Sequence, residues 1–377
     1  MRVAVVGLGA MGSMALWSLA QAGVHVEGFD QYGLADQRTG VGGESRLFRT
    51  AYKEGAHYVP LLKRARQLWR DLETQAGVHL LHLCGGLTIG QLKDEGIVKV
   101  LQSIRDFDID HQMLDPIDAA KRFPAHRFDK DETVIYDRES GYLRPELAVT
   151  SALRCARALG VTVHAHTPVT AIEHRQDGVW VKASGVWKQF DKVVVTAGGW
   201  IKQLYPELGR PVFARKLILS WFPARDISDF SPEKFPIFIR RSNGYFSFGT
   251  PSIEGSMVKI GMSTPGHVVD DPNHFQREIT EYELADTRHV IKKYLRGLDS
   301  DPVRTSGHLD AYTADNHCFI GNPPGQPGVL LVGGFSGHGF KLSPAIGEIA
   351  CHWLLEKPLP FSPDQFALSR LSSLVWG

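Results

Sequence analysis

The sequence predicts an α/β plus α+β protein, in which a Rossmann-type nucleotide-binding domain is interleaved with a domain built on a mostly antiparallel sheet. Three observations carry that expectation. The chain opens on a short β-branched run that leads straight into a glycine motif. Two further glycine-rich turns follow apolar runs much later, at Thr196–Trp200 and Gly333–Lys341. Between Pro211 and Val303 the pattern changes to short strand-like pieces, which suggests a separate sheet.

Val3 to Val6 reads as a strand buried on both faces, and Gly7-Leu8-Gly9-Ala10-Met11-Gly12 follows it at once. The spacing is GxGxxG between strand and helix. Gly7 permits the tight turn, Gly9 allows close approach of a pyrophosphate, and Gly12 lets the helix pack on the strand. Ala10 and Met11 would offer free N–H groups to an anion at the helix N-terminus. Met11, Ala15, Leu16 and Leu19 continue at helical spacing to Gly23, and Val24 to Asp30 forms a second strand. Asp30 ends it where a carboxylate can take ribose hydroxyls. No Arg follows it directly, so FAD or NAD is favoured over NADP. A glycine-rich turn in an ordinary α/β protein is the competing reading, and the full strand–helix–strand–acid order argues against it.

At 377 residues the chain has room for two domains, and 43% hydrophobic with 22% charged residues is ordinary for a globular protein. Forty-two Lys and Arg balance 41 Asp and Glu, which gives no electrostatic support to a nucleic-acid or anionic-membrane partner. The four cysteines form no CxxC pair, so neither a zinc site nor a disulfide framework is expected, and a cytoplasmic location fits. No run reaches the ~18 apolar residues of a membrane span, and no secretory cleavage pattern stands out.

After Asp30 the chain is glycine-rich as far as Arg49. If Ser45 caps a helix there, Arg46 and Arg49 share one of its faces. Helices are expected over Tyr58 to Gln75, Gly96 to Phe107, from Pro145 to Leu159, near Glu278 to Leu295 and from Ser343 to Leu355; strands are expected over His79 to Ile89, Thr133 to Tyr136, Val161 to Ala165, Val169 to Glu173, Val179 to Ala183, Val193 to Val195, Lys216 to Phe222, Pro236 to Arg240, Tyr245 to Phe248 and Met257 to Met262. The nucleotide-binding domain is thus assembled from residues 1–50, 141–208 and 308–377, and the substrate domain from 51–140 and 209–307.

Together these features resemble the monomeric sarcosine oxidase and N-methyltryptophan oxidase family, flavin amine oxidases of the D-amino-acid-oxidase-like superfamily. The resemblance is carried by Gly7 to Ser13, by Ser45-Arg46-Leu47-Phe48-Arg49-Thr50-Ala51-Tyr52 with Tyr58-Val59-Pro60-Leu61, and above all by Gly334-Phe335-Ser336-Gly337-His338-Gly339-Phe340-Lys341. It implies an FAD cofactor contacted by the first glycine motif and Asp30, and by Ser45, Arg46, Val169, Ala197, Gly198, Trp200, Gly334, Gly337, His338, Gly339, Phe340 and Lys341. It implies that Arg49 and Lys341 hold a substrate carboxylate, that Arg46 lies close to the flavin ring, and that Lys259 serves the reaction with oxygen. Tyr245 joins them as a candidate substrate contact. Without the resemblance, Lys259 would read as a strand lysine in solvent.

Two departures bear on the chemistry. Asp310 stands where the family has its flavin-linking cysteine, two residues before Tyr312-Thr313, which implies non-covalent FAD. Ser263 replaces a histidine beyond Lys259, and the histidines typical of the Arg46 loop are absent at Val41-Gly42. The expected function is oxidation of the C–N bond of an amino acid, N-methyl or otherwise N-substituted, with O2 as acceptor and hydrogen peroxide as product, by a monomeric enzyme without metal. The alternatives are an FAD-dependent dehydrogenase that uses an electron carrier and a non-catalytic flavin-binding protein.

Overall fold

The computed structural model describes residues 1–263, 267–362 and 364–373. Residues 264–266 of the expected substrate domain, and 363 and 374–377 of the expected nucleotide-binding domain, lie outside that range.

The strand Arg2–Val6 lies at the centre of a six-stranded sheet. It pairs in parallel with His25–Phe29 on one side and Lys192–Val195 on the other, and Thr162–His164 and Val329–Gly333 extend the parallel set outward. Phe319–Gly321 closes one edge in the antiparallel sense. Both faces are covered, which explains why the strand reads as an unbroken apolar run. Val3 and Val5 enter a core shared with the helices Ala10–Gln21, Val59–Ala76, Pro145–Ala158 and Ser343–Leu354. Ala4 and Val6 face the other way, into a core shared with Val179, Val181 and Phe190 of a small antiparallel sheet.

The second large sheet has nine strands. Its antiparallel centre runs through Val212–Phe222, Val258–Met262, Tyr245–Thr250 and Ile237–Ser242. There it meets Gly86–Gly90 in parallel, a strand contributed from the earlier segment, which continues to Thr133–Asp137 and His111–Leu114. The helix Glu281–Tyr294, opened by a capping box in which Thr280 and Glu283 exchange hydrogen bonds, packs against this sheet.

Three expectations are corrected. Ser45 does not cap a helix: Arg46–Phe48 is a strand, antiparallel to Gly141–Leu143. An N-cap carbonyl must accept the first helical hydrogen bond, whereas the Ser45 carbonyl is taken by Arg46 Nη1 at 2.7 Å and Lys259 Nζ at 2.6 Å. The single strand expected over His79 to Ile89 is two, Leu81–His82 and Gly86–Gly90, in different sheets. Gly85, at φ +82°, turns the chain between them. Finally, Arg304–Thr313 is a ten-residue strand paired along Val212–Phe222, so the large sheet runs past the expected boundary at residue 307. Its hydrophobic pattern is weak because His308, Asp310 and Tyr312 all face cavities.

The helices Ala10–Gln21 and Ser343–Leu354 touch backbone to backbone at Gly347. A Cβ there would stand 2.5 Å from the Met14 carbonyl carbon. Gly347→Val must therefore push the two helices apart, and we expect it to cost roughly 1–3 kcal/mol or more, the usual range for overpacking. Urea unfolding measures this; an unchanged midpoint would show that the helices separate freely.

Candidate active site

A long cleft opens at the C-terminal ends of the parallel strands, where the first strand ends at Val6 and the helix begins at Ala10. Gly7 occupies φ +89°, and a Cβ on it would meet the Thr196 carbonyl oxygen at 2.7 Å. Gly12 lies beneath the turn rather than in the cleft, and a Cβ there would fall 1.8 Å from the Gly7 oxygen. Gly9, in contrast, has only the Val41 side chain nearby, 3.8 Å from where its Cβ would be, so its backbone is open to the cleft. No side chain caps this helix and its first turn holds no acid, which leaves its N-terminal amides beside Gly9, Ala10 and Met11 directed at the cleft. The cleft runs from Asp30 past Val169 and Trp200 to Gly334 and Phe340. It suits an extended ligand.

Asp30 marks one end of the cleft. Its carboxylate accepts from the backbone N–H of Leu8 at 2.7 Å and of Tyr32 at 2.9 Å, which fixes its direction. Burial pushes its carboxyl pKa up, and those two amides pull it back. Val169, Ala197, Gly198 and Trp200 line the middle. Gly334, Gly337, Gly339 and Phe340 form the far wall beside Asp310, whose carboxylate accepts from Ala311 N and Gly337 N, each at 2.8 Å. Burial pushes the Asp310 carboxyl up to about 6, against the pull of those amides and of Arg46.

Arg46 lies where this cleft meets a second cavity. Its guanidinium donates to the carbonyls of Gly40, Gly42 and Ser45 at 2.5 to 2.7 Å, so loop 40–45 is wrapped around it. Lys259, on the strand Val258–Met262, is 3% exposed and reaches the same loop from the other side. Its Nζ donates to Gly43 O at 3.0 Å and Ser45 O at 2.6 Å. The solvent-exposed reading of Lys259 is thereby excluded. Burial and then the neighbouring Arg46 push the lysine pKa well down, while Glu44 and Glu146 pull it up.

The second cavity lies between the large sheet and the turn that ends in Lys341. Arg49 is 6% exposed there, and only Nη2 has a partner, Glu54 at 3.5 Å. Its Nε and Nη1 are buried with no hydrogen-bond partner among the described residues. A buried unsatisfied charged donor is costly, and Arg49 carries two such nitrogens. Lys341 Nζ donates to Tyr52 Oη at 3.1 Å and His338 O at 2.8 Å. Burial, then Arg49, push it down to about 7. Burial opposes ionisation of Glu54, but Arg49 and Lys53 outweigh it and hold the carboxyl below its usual range.

Ser45, His338 and Lys341, expected at the cofactor, line the second cavity rather than the cleft. His338 is neutral, pushed down to about 4 mainly by burial, with ring nitrogens against Tyr52 Oη and Asn316 O. Tyr245 is corrected as a substrate contact. Alternation along its strand turns it to the outer side, where its ring stacks on His289 at 4.9 Å, and it is Phe246 and Phe248 that face the cavity. Sequence reasoning missed Tyr52 as the partner of Lys341, and Lys53, Glu54 and His308 altogether. Lys53 and Glu54 directly follow the Thr50-Ala51-Tyr52 block, so a cation and an acid beside a carboxylate anchor were the available signal. His308 had none, since its strand was not visible; its Nε2 is buried without a hydrogen-bond partner among the described residues, and burial and Arg46 push it down to about 3.

The cleft therefore meets, at Arg46, a second cavity lined by the buried Arg49 and Lys341. The family model described as FAD dependent oxidoreductase matches residues 2–353. The chain is 32% identical over 352 residues to monomeric sarcosine oxidase of Streptomyces avermitilis, covering 92% of this chain and 91% of that one. It is 31% identical over 369 residues to N-methyl-L-tryptophan oxidase of Yersinia pestis (strain Pestoides F), covering 97% and 98%. The fold also matches the crystal structure of glycine oxidase from Geobacillus kaustophilus, with a TM-score of 0.81 at 20% identity over 98% of this chain and 99% of that one. The glycine turn with its uncapped helix, the far wall at Gly334 to Phe340 and the matched residues 2–353 place the chain in the FAD-dependent oxidoreductase family.

Proposed function

We propose that the protein is an FAD-dependent oxidase of the C–N bond of an amino acid, N-methyl or otherwise N-substituted. The observation that carries this is Arg49: a buried guanidinium with two unpartnered nitrogens, in a cavity that also holds Lys341 and adjoins the dinucleotide cleft. The residues fit FAD. The helix N-terminus at Gly9 to Met11 would hold the pyrophosphate, Asp30 the adenosine ribose, and Arg46 stands at the flavin end. When bound, the flavin accepts the hydride equivalent from the substrate carbon and passes the electrons to oxygen.

The protein supplies position and charge. Arg49 and Lys341 hold the substrate carboxylate by charge-assisted hydrogen bonds, which fixes the carbon presented to the cleft. Tyr52 accepts from Lys341 and so aims its remaining hydrogens. Lys259, held by two carbonyls, keeps positive charge near the place where oxygen gains electrons, and this favours an oxidase over a dehydrogenase. The carboxylate clamp has no evident use in a non-catalytic flavin binder. All four cysteines are free thiols, which fits a reducing cytoplasm, and we take the monomer as the working unit. Among the described residues no helix is long and apolar enough to cross a membrane. Peroxide release from N-substituted amino acids by the purified yellow protein tests the proposal.

FAD is expected to be held without a covalent bond. Asp310, not a thiol, stands at the linking position in the cleft, and Cys318 is fully buried in the helical core, its thiol pushed up to about 12 mainly by burial. Acid precipitation should leave all yellow colour in the supernatant; flavin retained on a Cys318 peptide would contradict this.

Arg49→Met or Lys341→Met should weaken carboxylate binding by roughly 2–5 kcal/mol, the cost of removing one partner of a desolvated charge pair. The pH dependence follows from Lys341. Its pKa in the free protein is lowered to about 7, so the charged form that binds a carboxylate is present below that pH and lost above it. Affinity for an unreactive carboxylate should therefore fall as pH rises through 7, by up to about tenfold per unit. The slope should vanish in Lys341→Met. A flat profile in the parent protein, or esters used as well as acids, would reassign the pair to a structural role.

Lys259→Met is expected to slow aerobic reoxidation by orders of magnitude while anaerobic flavin reduction falls much less. Since burial and Arg46 lower the Lys259 pKa, the oxygen step in the parent should lose rate as pH rises, and should do so below the ordinary lysine range. Stopped-flow measurement of both half-reactions decides; an unchanged reoxidation rate would favour the dehydrogenase alternative.

A further inference from the structure

The substrate cavity carries more positive charge than one carboxylate can use. Five cationic side chains, Arg46, Arg49, Lys53, Lys259 and Lys341, line it against one acid, Glu54. Arg46 and Lys259 are committed to the carbonyls of loop 40–45. Of the other three, Arg49 and Lys341 serve the clamp proposed above, and Glu54 offsets one charge. Among these side chains one positive charge remains after a single substrate carboxylate is bound, in addition to the charges of Arg46 and Lys259, which their carbonyl partners do not cancel.

Lys53 supplies it. Its Nζ lies 3.2 Å from Glu54 Oε1, and Arg49 Nη2 lies 3.5 Å from the same oxygen, so the two cations flank one acceptor. The ammonium sits 4.4 Å from the centroid of the Phe246 ring, whose edge of the wall is shared with an adjoining outer cavity. With 27% of its side chain exposed, Lys53 stands at the passage between the two spaces. In the outer cavity Lys99 is paired with Glu95 and Arg240 with Glu132. Arg241 is exposed there and has no ion pair among the described residues. A second anionic group, a few carbon atoms from the clamped carboxylate, would meet Lys53 first and Arg241 beyond it.

We propose, on the basis of the clamp reading above, that the substrate is an N-substituted amino acid with a second carboxylate, on the side chain or on the nitrogen substituent, and that Lys53 is the residue that selects it. A Lys53 that serves only as counter-ion to Glu54 would not discriminate acids from their neutral isosteres.

The test compares kcat/KM, from peroxide release by the holoenzyme, across three pairs: racemic N-methylglutamate and N-methylglutamine, racemic N-methylaspartate and N-methylasparagine, and iminodiacetate and sarcosine. In at least one pair the diacid should be preferred by roughly tenfold or more, the least effect expected of a shielded charge contact. Lys53→Met should collapse that ratio toward one, while Lys53→Arg should retain it. The wild-type comparison stands alone if Lys53→Met fails to fold. Turnover of the neutral members with no diacid preference in any pair, or a preference that survives in Lys53→Met, overturns this proposal and leaves the clamp reading intact. Failure of every compound to bleach the flavin anaerobically overturns both.

Discussion

The organisation of the site depends on one constraint: the buried Lys259 and the partly buried Arg46 need hydrogen-bond partners other than bulk water. The chain meets it with the carbonyls of loop 40–45, where Ser45 O serves both side chains, and Gly40, Gly42 and Gly43 supply the rest. Buried charged donors require partners of this kind. The consequence is architectural. Lys259 belongs to the nine-stranded sheet, and Arg46 opens a strand of a small three-stranded sheet with Gly141–Leu143 and Leu81–His82, so the shared carbonyls tie those two sheets together where the cleft and the cavity meet. The loop must turn its carbonyls inward along consecutive residues. Gly43 at φ +103° and Glu44 at φ +71° are the backbone expression of that requirement. Glu146 steadies the outside by accepting from the N–H groups of Gly43 and Glu44.

The same constraint explains what could be read in the sequence. The nucleotide lobe was legible because its signals are local: an apolar run buried on both faces, glycines at fixed spacing, and an acid at the end of the next strand. Each of those maps onto one strand or one turn. The helix expected after Ser45 failed because its competitor was not local; the carbonyl that would have started it is claimed by Lys259, 214 residues later. Arg304–Thr313 was invisible for a different reason. Its first four residues, Arg304-Thr305-Ser306-Gly307, are polar or glycine, so the period-2 signal that marks a strand is confined to His308 through Tyr312.

At the site itself, Gly7, Gly9, Asp30, Arg46, Gly334 and Phe340 line the cleft, and the departures from expectation lie in partition. Ser45, His338 and Lys341 belong to the motifs that frame the cofactor, yet they face the second cavity. Tyr245 shows the limit of strand reasoning: with no register known, the face presented by Tyr245 rather than Phe246 could not be chosen, and one residue of offset exchanges the cavity for the outer surface. Lys53 and Glu54 follow Arg49 closely in the chain, but only the fold shows that all three meet in one cavity.

Not every buried cation here does the same thing, and the partner distinguishes them. Arg240 is matched to Glu132, and Lys216 to Glu283, each pair almost entirely enclosed. Those charges cancel locally, and they join strand to loop or sheet to helix. Arg46, Lys259 and Lys341 are partnered instead by carbonyls and a phenol, groups that satisfy hydrogen bonds without cancelling charge. Their field is therefore left for whatever enters the cavity and cleft, and in a shielded site it acts with far less screening than at the surface. The cost is visible in the depressed pKa values of Lys259 and Lys341, which fold the chain at the expense of their own protonation. A protein that needed these cations only for stability would have given them carboxylates. Their neutral partners support the ligand roles proposed for them.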